Sequence, residues 1–210
     1  MKNDSDKLLR FTASERVNHW LVAITFFLLA LSGLAFFHPF FYPLNQLFGG
    51  GVWTRILHPF FGAGMIIFFG GMFLRFRRLS IMTPTDREWL GHMREMINGD
   101  DRNMPEAGKL NGGQKLMFWS LVVCMVLLVL SGLVIWRAYF SFLFPVGLVR
   151  LAAVVHAAAG AIMIALIIGH IYLAIWTRES IDAMLFGRVR KAWAKQHHPA
   201  WFREMTGGGK

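Results

Sequence analysis

Four of the eight histidines fall within long apolar runs, and they are the residues of this chain best suited to do chemistry. His156 and His170 share one stretch, residues 151–177, that carries no formal charge between Arg150 and Arg178. Fourteen residues at 100° each return His170 to within about 40° of the face that His156 occupies, about 21 Å further along the helix. A neutral imidazole offers a ring nitrogen to a metal, and two on one helix face at two depths suit two haem irons. Each iron then needs a second imidazole from elsewhere, and His19 and His58 are the candidates.

The elements that must position them are four apolar blocks, roughly 16–37, 56–74, 116–136 and 151–177. Each is near the length of about 20 residues that crosses a hydrocarbon core. The chain is 55% hydrophobic, with 20 Phe, 12 Met and 8 Trp, as expected of spans with aromatic interface belts. Its net charge is +10, but the basic residues sit in short segments flanking the blocks, which fits leaflet anchoring and no nucleic-acid partner. The single cysteine, Cys124, lies inside a block and offers no disulfide framework. No cleavable signal peptide is expected, because the first ten residues are polar and the first block is long enough to remain a span.

Of the 22 Lys and Arg, only Arg55, Arg137 and Arg150 fall in the connections after the first and third blocks. The rest crowd the N-terminal arm, the long middle loop and the C-terminal segment, which the positive-inside rule assigns to the cytoplasm. Residues 180–201 place Ile181, Met184, Leu185, Val189 and Trp193 at helical spacing opposite Arg188, Arg190, Lys191 and Lys195. That pattern predicts one interfacial amphipathic helix. The expected fold is an all-α membrane protein: a four-transmembrane-helix bundle with cytoplasmic termini. The whole chain, 1–210, forms a single membrane domain, and residues 178–205 form a cytoplasmic amphipathic tail.

The blocks contain a repeat. LLALSGLAFF, ending at Phe37, recurs as LLVLSGLVIW, ending at Trp136, with Trp20 and Trp119 at matching distances before the Ser-Gly pairs. His58, Gly62, Met65 and Ile66 likewise superpose on His156, Gly160, Met163 and Ile164. A duplicated two-helix unit places His58 and His156 in equivalent positions, both in the outer leaflet, where they could ligate one haem. His19 and His170 fall at the cytoplasmic level and form the second pair, without symmetric copies. Gly62, Gly160, Gly33 and Gly132 either leave room for the macrocycles or let helices approach closely. Histidines in spans also serve as helix-helix hydrogen bonders or as the relay of a proton channel or transporter, but a relay calls for acidic partners, and none stands inside the four blocks. His38, His92, His197 and His198 read as solvated surface residues. Arg16, Arg55, Arg75, Arg150 and Arg178 stand at span ends, placed either to meet haem propionates or to anchor the interface.

With these residues in hand, the chain resembles the cytochrome b (gamma) subunit of membrane-bound respiratory formate dehydrogenases. The similarity runs from FTASERVNHW through RILHPFFG, LNGGQKLMFW, SGLVIWRAYF and VHAAAG to WAKQHHPAWFRE. Ala138 and Ala200 stand where the family usually has Pro and Arg. The resemblance implies a non-catalytic electron-transfer subunit with two haem b groups in the bacterial inner membrane. Its partners would be an iron-sulfur beta subunit and a molybdenum- or tungsten-containing catalytic alpha subunit, and a higher oligomer of that complex stays open. Electrons would pass from the extracytoplasmic side to menaquinone or ubiquinone at the cytoplasmic side. Asn111, Gly113 and Gln114 would line the quinone site beside His170. Cytochrome b subunits of hydrogenases and thiosulfate reductases share the four-helix dihaem plan and are the alternative.

Overall fold

A computed structural model describes residues 6–97 and 103–207. Four helices in it are long and apolar enough to cross a membrane: α1 (Ala13–Phe37), α2 (Gly51–Phe76), α5 (Gly112–Ile135) and α6 (Val146–Trp176). Between them lie the short helices α3 (Pro84–Gly91) and α4 (Met93–Ile97), and α7 (Ser180–Phe186), α8 (Lys191–His197) and α9 (Pro199–Thr206) follow. Strands β1 (Lys7–Leu9) and β2 (Arg188–Arg190) pair antiparallel, with Leu8 opposite Val189. Three of the residues weighed in the charge asymmetry, Lys2, Arg102 and Lys210, lie outside the described residues.

Each long helix begins before the apolar block that announced it, and at α1 and α5 a polar cap opens the hydrogen-bond ladder. At the start of α1, Thr12 Oγ1 accepts from Glu15 N at 3.3 Å while Glu15 Oε2 accepts from Thr12 N at 2.7 Å. This reciprocal capping box satisfies two otherwise orphaned donors. Between α1 and α2 the aromatic segment Pro39–Phe48 forms a 3-10 helix, capped by His38 Nδ1 accepting from Phe40 N. It ends at Gly49, whose φ of +86° is the left-handed conformation that glycine reaches without strain.

The described residues pack as two compact units. The first comprises Val17–Phe73 and Leu121–Gly169, and holds the middles of all four long helices. Its core is Phe26 from α1, Met65 and Phe69 from α2, Cys124 and Met125 from α5 and Met163 from α6. Inside this unit Asn18 Nδ2 donates to the Phe68 carbonyl at 2.8 Å, tying α1 to α2.

The second unit draws on the described residues of 1–16, 74–120 and 170–210. Here the sequence reading needs correction. The segment expected to be one interfacial helix is instead α7, β2, α8 and α9, broken at Gly187 with φ +80°. The break is forced by packing: a Cβ on Gly187 would stand 2.6 Å from the Phe11 carbonyl, and Arg10 N and Phe11 N both donate to the Gly187 carbonyl. Phe11, Ala183, Val189, Trp193, Ala194 and Trp201 form a core of their own, so the arm and the tail fold together.

At the centre of this unit sit Arg10, 3% exposed, and His198, 2% exposed. His198, expected at the surface, is buried because its ring completes a polar network. Its Nδ1 donates to the Gly108 carbonyl at 2.7 Å, which leaves Nε2 to accept from Arg10 Nη2 at 2.9 Å. Arg10 also donates to the Lys109 carbonyl at 3.1 Å, and its guanidinium lies 4.7 Å from the Trp193 ring centre. Burial draws Arg10 down to about 10, so it stays charged at neutral pH. Burial, then the adjacent Arg10 charge, holds His198 down at about 3.

The sign of the pH dependence follows. Below the ordinary histidine value of 6.5 the unfolded chain takes up a proton that folded His198 refuses until about 3, so stability falls as pH falls through that window. Replacing His198 by Ala is expected to cost about 1–3 kcal/mol by stranding the Arg10 donor and the Gly108 acceptor. His198→Gln is expected to retain more stability and to flatten the dependence of Tm on pH below 6.5. Thermal unfolding of the purified chain in detergent, scanned against pH, measures both.

Candidate functional site

The membrane unit brings His58 of α2 and His156 of α6 together, with ring centres 6.2 Å apart and planes inclined at 71°. An imidazole nitrogen bonds a metal ion at about 2 Å. That nitrogen lies roughly 1 Å from its ring centre, so two rings on opposite sides of one ion have centres about 6 Å apart. The observed separation fits that arrangement, whereas an ordinary aromatic contact would tolerate any value over a broad range.

Each ring is held from its other nitrogen. Ser32 Oγ of α1 lies 2.8 Å from His58 Nδ1, and Ser131 Oγ of α5 lies 3.0 Å from His156 Nδ1. The glycine that follows each serine admits the ring edge. A Cβ on Gly33 would stand 3.5 Å from His58 Cε1, and one on Gly132 would stand 3.2 Å from His156 Cε1. The Ser-Gly pairs of the repeat thus receive the imidazoles.

Gly62 and Gly160 behave differently. A Cβ on Gly62 would meet nothing within 4 Å, and one on Gly160 only Leu128 at 3.9 Å. One turn beyond each histidine the bundle therefore leaves space of the kind a flat macrocycle needs. Phe36 closes one side of His58, with ring centres 6.4 Å apart. Donor chemistry, ring separation and open glycines together fit a bis-histidine haem.

The other expected site residues are placed as follows. His19 belongs to the membrane unit, half-buried on α1, with its ring edge-on to Trp20 at 5.5 Å. His170 belongs to the second unit and is exposed on α6. Asn111, Gly113 and Gln114 belong to that unit too. Asn111 Oδ1 accepts from Gln114 N at 2.9 Å, and Gln114 Oε1 accepts from Asn111 N at 3.1 Å, a capping box for α5. Gly113 packs tightly on α3, where a Cβ would stand 3.0 Å from the Trp89 ring. Lys115 reinforces the contact by donating to Asp86 Oδ2 at 2.6 Å. Burial alone would raise the Asp86 carboxyl, but Lys115 and Thr83 hold it below its ordinary value. Two span-end arginines are already engaged: Arg16 donates to the Leu185 carbonyl, and Arg75 to Ser14 Oγ at 2.6 Å.

Ser32 and Ser131 escaped the sequence reading as site residues. They stood in plain view as the polar members of the repeated SG pairs, and only their neighbours across the bundle reveal what they touch.

Four membrane helices with paired imidazoles inside define a class of haem-binding membrane proteins. The sequence profile of the prokaryotic cytochrome b561 family matches residues 10–187, and the chain belongs to that family, whose members are transmembrane b-type cytochromes of electron transport. It is 43% identical over 201 residues to the cytochrome b556(Fdn) subunit of the nitrate-inducible formate dehydrogenase of Escherichia coli, covering 96% of this chain and 93% of that one. It is 40% identical over 200 residues to the cytochrome b556(fdo) subunit of formate dehydrogenase from the same organism, with 95% and 94% covered. The cytochrome b556 subunit of formate dehydrogenase from Haemophilus influenzae is 35% identical over 204 residues, with 97% and 85% covered. The resemblance drawn from the motifs is borne out, and a cytochrome b carries haem b.

The two glycines at the imidazoles are not equivalent, and this is testable. Gly132→Ala puts a methyl 3.2 Å from the His156 ring and must shift it, whereas Gly33→Ala at 3.5 Å makes ordinary contact. Overpacking of this kind costs about 1–3 kcal/mol. Haem content per chain after detergent extraction is expected to fall for Gly132→Ala and to hold for Gly33→Ala.

Proposed function

We propose that the chain is the dihaem membrane anchor of a formate dehydrogenase in the bacterial inner membrane, passing electrons from an extracytoplasmic iron-sulfur subunit to a quinone at the cytoplasmic side. The observation that carries this reading is the His58–His156 pair, 6.2 Å between ring centres with both Nδ1 atoms held. When bound, each haem supplies a one-electron relay.

His58 and His156 hold the outer haem. His170, on the same helix as His156, pairs with His19 to hold the second. The apolar core of Phe26, Met65, Phe69 and Met163 in the membrane unit suits an electron path shielded from water. His170 and the α5 cap, Asn111, Gly113 and Gln114, form the quinone site. Amide N–H groups of Asn111 and Gln114 that the cap does not use are suited to donate to the quinone oxygens. The orientation follows from the Lys and Arg distribution, which puts both termini and the middle loop in the cytoplasm.

The relatives' names support formate as the electron source. The partners are an iron-sulfur beta subunit and a catalytic alpha subunit holding molybdenum or tungsten. Formate oxidation there releases carbon dioxide, a proton and two electrons outside. Reduction of menaquinone or ubiquinone takes up two electrons and two protons inside. The paired reactions charge the membrane without a proton pump.

Haem counting tests the ligand scheme. The pyridine haemochrome assay is expected to give two haems per wild-type chain and one for each of His58→Ala, His156→Ala, His19→Ala and His170→Ala. The double variant H156A/H170A should hold none. A wild-type chain with no haem, or one haem surviving in that double variant, overturns the scheme. For the quinone site, Gln114→Glu keeps the oxygen that caps α5 and removes the amide donors. It is expected to slow quinol formation by roughly tenfold, the equivalent of one hydrogen bond, while formate still reduces both haems.

A further inference from the structure

Ser32 and Ser131 sit deep in apolar helices, 0% and 5% exposed. Each makes two kinds of contact. Ser32 Oγ lies 2.6 Å from the Leu28 carbonyl and 3.2 Å from that of Leu29. Ser131 Oγ lies 2.5 Å from the Leu127 carbonyl and 3.4 Å from that of Leu128. The same oxygens lie 2.8 Å from His58 Nδ1 and 3.0 Å from His156 Nδ1.

A hydroxyl has one proton and a carbonyl has none to give, so at 2.6 and 2.5 Å the serine proton must lie on the line to the carbonyl. Were it turned to the imidazole instead, two oxygens would face each other at that distance with nothing between them. The serine oxygen is then an acceptor toward the ring, and the ring atom facing it must carry the hydrogen. Both imidazoles are thereby set as Nδ1–H tautomers with Nε2 free for a metal.

The device is built twice, from serine–histidine pairs 26 and 25 residues apart in the two halves of the repeat. In each half a helix-internal serine is itself anchored by the preceding turn, so it neither rotates away nor gives up its proton. The glycine after it lets the ring come close.

We infer that Ser32 and Ser131 are positioning residues of the outer haem, each accepting the Nδ1–H of one imidazole that would hold it and so setting that haem's reduction potential. This rests on the reading of His58 and His156 as its ligands. Withdrawing the Nδ1 proton toward an acceptor makes the imidazole a stronger donor to iron. A stronger donor favours the more highly charged, oxidised iron, so the serines keep the outer haem's potential low. Low is the useful direction for the haem nearer the electron source, because it leaves a downhill step to the second.

The test is a redox titration of the membrane complex, followed in the visible absorption of each haem. Ser32→Ala and Ser131→Ala are expected to keep two haems per chain and to move the outer haem's potential upward, the double variant moving further than either single one. The cytoplasmic haem's potential stays put. Ser32→Cys, which keeps a weaker acceptor of similar size, is expected to give an intermediate shift. Selective loss of the outer haem from an alanine variant, with retention in Ser32→Cys, also supports the assignment. An unmoved outer potential with both haems bound overturns it, as does loss of both haems together. Failure of the ligand assignment is a separate result: His58→Ala would then keep both haems.

Discussion

A neutral imidazole among apolar side chains has one donor and one acceptor to satisfy, and leaving either without a partner costs about 1–3 kcal/mol. The bundle meets half of that demand at His58 and His156 with a hydroxyl on the neighbouring helix at one ring nitrogen. Much else follows from this. The glycines after the serines are small because the rings must approach. The helices are spaced by Phe26, Met65, Met125 and Met163 so that the rings reach 6.2 Å between centres. Methionine suits such a core, since its flexible chain fills irregular gaps between helices that also make room for a flat group.

The peripheral unit obeys the same rule with different groups. Arg10 and His198 are buried together because each supplies what the other lacks: a cation that donates, and a neutral ring with one nitrogen left to accept. Tryptophan faces around the guanidinium replace the water it gives up. Strands β1 and β2 bring the segments around Leu8 and Val189 onto one small core. The histidine-proline tail motif thus has a structural task here: it locks the N-terminal arm to the middle loop and the tail.

Much of the fold was legible because hydrocarbon is an unforgiving solvent. A span must be a helix, must be about 20 residues long and must exclude charge, so four uncharged blocks could mean little else. The repeat by itself pairs His58 with His156, since duplicated units place equivalent residues at equivalent depths. The peripheral segments were less legible. Residues 180–201 carry a helical pattern of apolar residues, yet a segment that can bury those residues against strand β1 and Phe11 has no need of one continuous helix. Gly187 was the available signal, since helices commonly stop at a residue at ease with positive φ.

Composition and spacing by themselves determined the class of protein, the four spans, the charge asymmetry and the pair of histidines that meet. These are properties of local sequence acting against a bilayer, and no distant contact can override them. Only the tertiary structure decided what holds each imidazole, why Gly33 and Gly132 differ from Gly62 and Gly160, and where His198 goes. Those outcomes hang on side chains 25 or more residues apart meeting within 3 Å. Whether a serine in an apolar helix binds only its own backbone or also a neighbour's ring is a question of helix rotation and approach, and packing alone answers it.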